Sequence, residues 1–338
     1  MKLFRLRVVT GSLSYQINVS AREFLPGVGV GLEYTDNAAL TAHNPVDDLI
    51  ADGYIGARLA DDNGPVLTNI TASLNHHRYT KDTFEDQRYF NLGATVGWAM
   101  IKDRFDWFLS NFYSQRPINS TDPNTPDNIQ DSNIFTFGAD LILPLTARQT
   151  FTLRPEYRNF YYEIQSTDNQ QYSLAVGWSY VLNRLTNVGL NGSVRTVDYE
   201  EQLIDDVTFS SVFLAISTRR ARSDFTTNLG STRVERDNGQ STEEFAGNLN
   251  WLLDLTARSK FRVFASTDLT DSSTGALNAT VDPGVGDPND IQITTDVIRS
   301  KVFTLGYSRE DGTLRSNLTG QLRELNYSES PNDRRIRS

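Results

Sequence analysis

The 338-residue chain contains no cysteine, so disulfides, zinc–thiolate sites and thiol nucleophiles are excluded. Long hydrophobic runs are lacking too. The longest, Val96–Ile101, is interrupted by Gly97 and falls far short of the about 20 residues that a spanning helix needs. There are only three histidines. Positive charge is not in excess: the net charge is −10, which argues against a nucleic-acid partner. Hydrophobic residues make up only 38% of the chain, yet aromatics reach 11%, with 14 Tyr and 18 Phe. This combination leaves two classes, a soluble all-β protein or a membrane β-barrel, whose signal per strand is weak.

What is present is alternation. In Tyr172–Leu182 the even positions Tyr172, Leu174, Val176, Trp178, Tyr180 and Leu182 are large. Ser173, Ala175, Gly177 and Ser179 lie between them. Period-two alternation marks a strand whose two faces meet different surroundings. The same pattern recurs along the chain and predicts fifteen strands, from Glu23–Tyr34 to Thr313–Tyr327, the fourteenth being Ile291–Ser308. Most exceed the usual length of about 5–6 residues in globular sheets and reach the about 9–11 of a tilted membrane strand.

The connections alternate long and short. Thr35–Asp47, Thr80–Asp86, Arg116–Asp131 and Asp271–Asp290 belong to the long set. Asp61–Pro65, Ile101–Arg104, Thr146–Arg148 and Asn183–Thr186 belong to the short one. Membrane barrels pair long external loops with short periplasmic turns in this way. Trp98, Trp107, Trp178 and Trp251 all lie beside short turns, whereas Tyr79, Tyr89, Tyr113, Tyr161, Tyr172 and Tyr199 lie near long loops. These ten residues are the expected interfacial belts. Charge sorts as well: Arg104, Arg148, Arg184 and Arg258 sit at short turns, and Asp47, Asp122, Asp131 and Asp290 at long ones.

Parity then assigns faces. Phe151, Leu153, Pro155, Tyr157 and Tyr161 are expected to face lipid, while Arg154, Glu156 and Arg158 face the lumen. An Arg or Lys facing lipid at mid-membrane costs about 2–4 kcal/mol. Asp140, Arg195, Asn248, Asn250, Asp254 and His77 are the further lumen candidates.

No catalytic constellation emerges. His43 lies in a loop, and the adjacent His76 and His77 point to opposite faces, so they cannot share a metal. A site built from Ser73, Asn75 and His77 is conceivable, but nothing selects a nucleophile. Asp122–Asp127 and Asp282–Asp290 resemble calcium-binding turns without matching the EF-hand spacing, and read as solvated turns. Gly27, Gly29 and Gly31 lie on a strand, so they are not a phosphate loop. The expectation is therefore no enzyme, no metal and no cofactor. A barrel-embedded enzyme and a soluble or structural β protein are the alternatives.

Leu25-Pro-Gly-Val-Gly-Val-Gly31, then Tyr34-Thr-Asp-Asn-Ala-Ala-Leu40, then Asp47-Asp48-Leu49-Ile50 resemble the opening of a family of Gram-negative outer-membrane β-barrels, porins associated with exopolysaccharide and exosortase/PEP-CTERM loci. The resemblance implies an outer-membrane location and a part in polysaccharide export or surface assembly, and supplies no catalytic residues. The implied partners are membrane lipid and lipopolysaccharide, exopolysaccharide with its export machinery, and the barrel assembly machinery during biogenesis.

The fold expected is an all-β, antiparallel, up-and-down transmembrane β-barrel, with about fifteen strands present of sixteen or more. Residues 1–22 read as a degenerate or misassigned leader, because Thr10, Ser12, Ser14, Gln16 and Asn18 interrupt its apolar core. Residues 23–338 read as one barrel domain lacking at least one C-terminal strand, with Ser328–Ser338 beginning an external loop. In the alternative, Leu3–Val19 supplies the extra strand.

Overall fold

Strands that alternate large and small residues bury nothing alone; each needs a partner for its backbone, and here each finds one in an antiparallel neighbour. The computed structural model describes residues 5–14, 17–19, 22–281, 287–312, 314–328 and 334–337, and for 5–19 and 334–337 the backbone only. The strands are β1 (Arg5–Ser14), β2 (Ile17–Val19), β3 (Arg22–Thr35), β4 (Asp48–Asp61), β5 (Val66–Tyr79) and β6 (Gln87–Ile101). Then come β7 (Phe105–Pro117), β8 (Ile129–Thr146), β9 (Gln149–Tyr162), β10 (Asn169–Asn183), β11 (Thr186–Tyr199) and β12 (Val207–Arg220). The last are β13 (Ser223–Arg236), β14 (Ser241–Thr256), β15 (Ser259–Asp271), β16 (Val297–Asp311), β17 (Leu314–Tyr327) and β18 (Arg334–Arg337). One helix, α1 (Ser272–Val281), follows β15. All strands belong to one sheet, and β3 to β17 are the fifteen expected, joined up-and-down. The fold class is all-β, with antiparallel strands joined up-and-down in one sheet. Two compact units share β8 and β9: Met1–Gly138 with Arg158–Ser166, and Ala139–Tyr157 with Thr167–Ser338.

The two faces differ as the alternation requires. Across β10, β11 and β12 the row Trp178–Leu190–Leu214 lies on one face and is exposed, with Leu190 at 52%. Across β3, β4 and β5, Val28, Ile55 and Leu74 form a similar exposed apolar row. The opposite face is polar: Arg154 donates two hydrogen bonds of 2.6 Å to Asp140, and Arg262 donates to Asn250. Apolar rows left exposed on long strands match a lipid-facing surface. Tight hairpins close the short ends, where Gly64 adopts the left-handed φ of 91° that favours glycine.

Several expectations need correction. Tyr79, Tyr89 and Tyr199 are not on the apolar face. Tyr79 is buried against Phe84, Tyr89 meets the edge of His77, and Tyr199 is in a buried cluster. They sat at the right height along their strands, but their parity puts them on the polar side. The fourteenth strand starts at Val297 rather than Ile291. The long connection before it is not a solvated loop, because it carries α1 with six buried residues. Ser328–Ser338 is not all loop: Arg334–Arg337 pairs with Leu322–Leu325 of β17. In the segment read as a leader, β1 and β2 both run antiparallel to β3, from Arg5↔Thr35 to Val19↔Arg22.

The four Trp lie near the short-turn ends of their strands, on the apolar face. Trp98 pairs with Trp107 across the Ile101–Arg104 hairpin, Trp178 is 39% exposed and Trp251 36%.

The two-faced sheet generates a direct test. Leu190→Arg should destabilise the folded protein in lipid by about 2–4 kcal/mol. Asn191→Arg, one residue along on the other face, should cost far less. Urea unfolding of both variants in bilayers checks this; equal losses would contradict the face assignment.

Candidate functional site

The segment between β15 and β16 organises the polar face of the second unit. It begins at Asp271, whose Oδ1 accepts from the Thr274 backbone N–H at 2.8 Å, an N-cap that starts α1. The helix sequence, Ser-Ser-Thr-Gly-Ala-Leu-Asn-Ala-Thr-Val, is uncharged and mostly small. Small side chains let its backbone lie close to neighbours: a Cβ on Gly275 would meet Ile291 at 3.4 Å.

Asp271 also anchors the helix to the sheet. Arg195 of β11 forms an ion pair with it, also donates to the Thr274 hydroxyl, and lies over the Phe209 ring at 4.4 Å from its centroid. Gln171 of β10 donates to Asp271 Oδ1 at 3.1 Å, and its own Oε1 accepts from Arg195 at 3.0 Å and Thr274 at 2.9 Å. Asn169 donates to the Ser273 hydroxyl at 3.2 Å. Asn169, Gln171 and Asp271 are almost completely buried. Buried polar groups are tolerable only when satisfied, and in this cluster donors and acceptors match.

A second anchorage holds the return of the segment. A short turn, Pro288–Asp290, is capped by Asp287. Arg323 of β17, 2% exposed, donates to the Asp287 carbonyl at 3.0 Å, and the Gln292 N–H donates to the Tyr327 hydroxyl at 2.9 Å. Ile291 and Ile293 are buried, as are Ile298, Val302 and Leu325 on β16 and β17. The Thr294 N–H donates to Ser272 Oγ at 3.0 Å, tying the return to the start of α1.

The residues anticipated as lumen-lining have different surroundings. Arg154 and Asp140 are paired on the polar face; Asn248 accepts from Asn228 at 3.3 Å, and Asn250 from Arg262. Glu156 and Arg158 occupy the same parity on β9 as Arg154, and Asp254 lies opposite Lys260. His77 lies 3.6 Å from Asp52, while His76 reaches Asp86 at 3.8 Å, so the two histidines do diverge. Arg195 is a correction: its side chain is 14% exposed and locked to the inserted segment rather than open to a lumen. Sequence reasoning missed Asn169, Gln171, Asp271, Thr274 and Arg323. The available signal was Asp-Ser-Ser-Thr, a helix-capping start inside a connection read as loop.

Among the described residues no group of three His, Cys, Asp or Glu could hold a metal ion. Asp282–Gly286 lies outside the described residues. Asn119 binds Asp122 in the other loop considered for calcium, at 2.8 Å, which is ordinary turn chemistry.

No protein-family model and no curated protein matches the sequence. Among solved structures the chain is similar to the FrpB iron transporter from Neisseria meningitidis (F5-1 variant), with 9% identity and a TM-score of 0.44 over 87% of this chain. The chain spans 61% of FrpB. It is also similar to a doubly substituted OccD1 (OprD), with 11% identity and a TM-score of 0.38, covering 99% of this chain and 94% of the other.

The Asp271 anchorage is testable because the chain has no native cysteine. Asp271→Asn preserves the cap, since Asn caps as well as Asp, but removes the charge facing Arg195. Breaking such a pair on one side costs about 3–5 kcal/mol. A cysteine at Ser273 should resist a water-soluble maleimide in the parent background and react readily beside Asp271→Asn. Equal reactivity in both would show that the ion pair does not hold the segment.

Proposed function

We propose that the protein is a channel of the β-barrel class in the outer membrane of a Gram-negative bacterium, with α1 and the return Asp287–Asp296 narrowing its polar path. The observation that carries this reading is the two-faced sheet. Apolar rows are exposed on one face of long strands, with Trp at the short-turn ends, and charged residues pair on the other. A catalytic role has nothing comparable in its favour. Lipopolysaccharide surrounds such a protein, and the barrel assembly machinery inserts it.

The finer reading is passage of exopolysaccharide. Two things support it. One is the resemblance of the chain's opening strands. The other is Tyr54, which is 42% exposed at the parity of Asp52 and whose ring lies 3.5 Å from where a Cβ on Gly27 would be. An aromatic ring laid over glycines presents a flat apolar surface on which a sugar ring can stack.

Reconstituted in planar bilayers, the protein should conduct, with a weak preference for cations set by the acidic long loops. Clear anion selectivity, or no conductance, would count against the channel reading. If glycan passes along Tyr54, oligosaccharides should interrupt the current, and Tyr54→Ala should shorten the interruptions severalfold. Unchanged interruptions would remove the polysaccharide reading and leave the channel standing.

A further inference from the structure

The ladder between β14 and β15 is incomplete. Their pairing runs from Thr256↔Ser259 to Gly247↔Thr267 and stops there. Beyond that point β14 continues to Ser241, paired only with β13, and β15 continues to Asp271, paired only with β16. The two strands diverge, and a cavity of about 620 Å³ occupies the gap. One side is formed by Val234, Arg236 and Glu244, the other by Leu269, Val297 and Arg299. Arg299 and Glu244 form an ion pair across the gap.

Three features point to the class of molecule that fits. First, the charged side chains lining the cavity are Arg236, Glu244 and Arg299, an excess of one positive charge. Second, Val234, Leu269 and Val297 belong to a buried apolar cluster, so the charged mouth adjoins an apolar wall. Third, the gap lies where the outer face changes character. Phe245 of β14 is 62% exposed on that face, and Arg233 pairs in register with Glu243 just beyond it. Exposed apolar side chains giving way to charge mark the headgroup level of a bilayer. Unpaired backbone beside lipid is costly, which favours an occupant with polar groups over hydrocarbon alone.

We propose that this cleft binds an amphiphile with an anionic head group, a long-chain carboxylate in the simplest case, entering from the membrane between β14 and β15. The head group takes Arg236 and Arg299, displacing Glu244 from Arg299, and the tail lies along Val234, Leu269 and Val297. The cavity volume is within the about 300–1,000 Å³ of small-molecule sites. The site is separate from the path past α1, and the proposal rests on the membrane reading above.

The test uses the full chain in a nonionic detergent with photoreactive laurate as the probe. Labelling should map to the peptides carrying Thr242–Glu244, Leu269 or Asn326. Arg299→Gln should lower it roughly tenfold, the loss of one charge-assisted hydrogen bond. Glu244→Gln should raise it by removing the competitor for Arg299. Thr242→Phe, which fills the cleft and leaves the ion pair intact, is the second variant and should also abolish labelling. Heat-modifiable mobility reports folding of every variant. Labelling spread over the outer face, or unchanged by both Arg299→Gln and Thr242→Phe, would overturn the proposal. So would butanoate competing as well as laurate, since the apolar wall would then contribute nothing. A wild-type chain that is soluble without detergent would instead overturn the membrane reading itself.

Discussion

In hydrocarbon every peptide N–H and C=O must find a partner inside the protein, at several kcal/mol for each one that does not. The regular ladders from β3 to β7 and from β10 to β17 answer that requirement, with the β14–β15 pairing above Gly247 the exception. Side chains then divide by parity alone. Because the backbone is satisfied, the polar face is free to carry small residues such as Ser173, Ala175 and Gly177. A Cβ on Gly177 would lie 3.0 Å from Asn191, so glycine there makes room for a neighbouring polar side chain. Stability comes from the ladder, and the side chains of the polar face are left free to vary.

The inserted segment obeys the same rule by different means. A connection carried onto the polar face brings its own backbone polar groups, and α1 satisfies them internally. The remaining end of the helix is met by Asp271, which caps it and neutralises Arg195 at once. A buried ion pair is weak evidence for stability, because desolvation offsets the attraction. It specifies position well, however. Arg195 reaches a carboxylate, a hydroxyl and an amide oxygen together only if α1 sits in this one place.

Most of this fold was legible in sequence because its governing period is two. Strand existence, the alternation of loops, and the polar-face parity that lets Arg154 meet Asp140 all follow from counting residues. Tyr79, Tyr89 and Tyr199 stand at strand ends, as belt residues do, but their parity puts them on the polar side, where they pack against Phe84, His77 and a buried cluster. Segment Ser272–Asp296 was harder. Its helix has no amphipathic stripe, since it is covered on most sides, and buried uncharged residues leave no period to count. Arg195 had the right parity but the wrong role, because its partner Asp271 lies 76 residues away, at the end of β15 where that segment begins. The gap above Gly247 leaves no local mark: it depends on which strands pair, not on what either one contains.

The anchorage of α1 and the cleft beside β14 share one short piece of chain. Leu269 lines the cleft, Thr270 accepts from Arg195, and Asp271 caps the helix, all within the end of β15 that has left β14. On the paired strand, Asp271 faces Val297, which lines the cleft, and Leu269 faces Arg299, which bridges it. Leu269 and Val297 have the parity of the apolar face, yet they pack against Val197, Val207 and Phe209 of the polar side. That is possible only because the ribbon has turned onto the sheet's other face above Thr267. Packed interiors do not deform continuously, and a ribbon fixed at Asp271 cannot shift at Arg299 without repacking the cluster between them. The turn of β15 away from β14 is thus the single geometric event from which both the covered polar face and the open cleft arise.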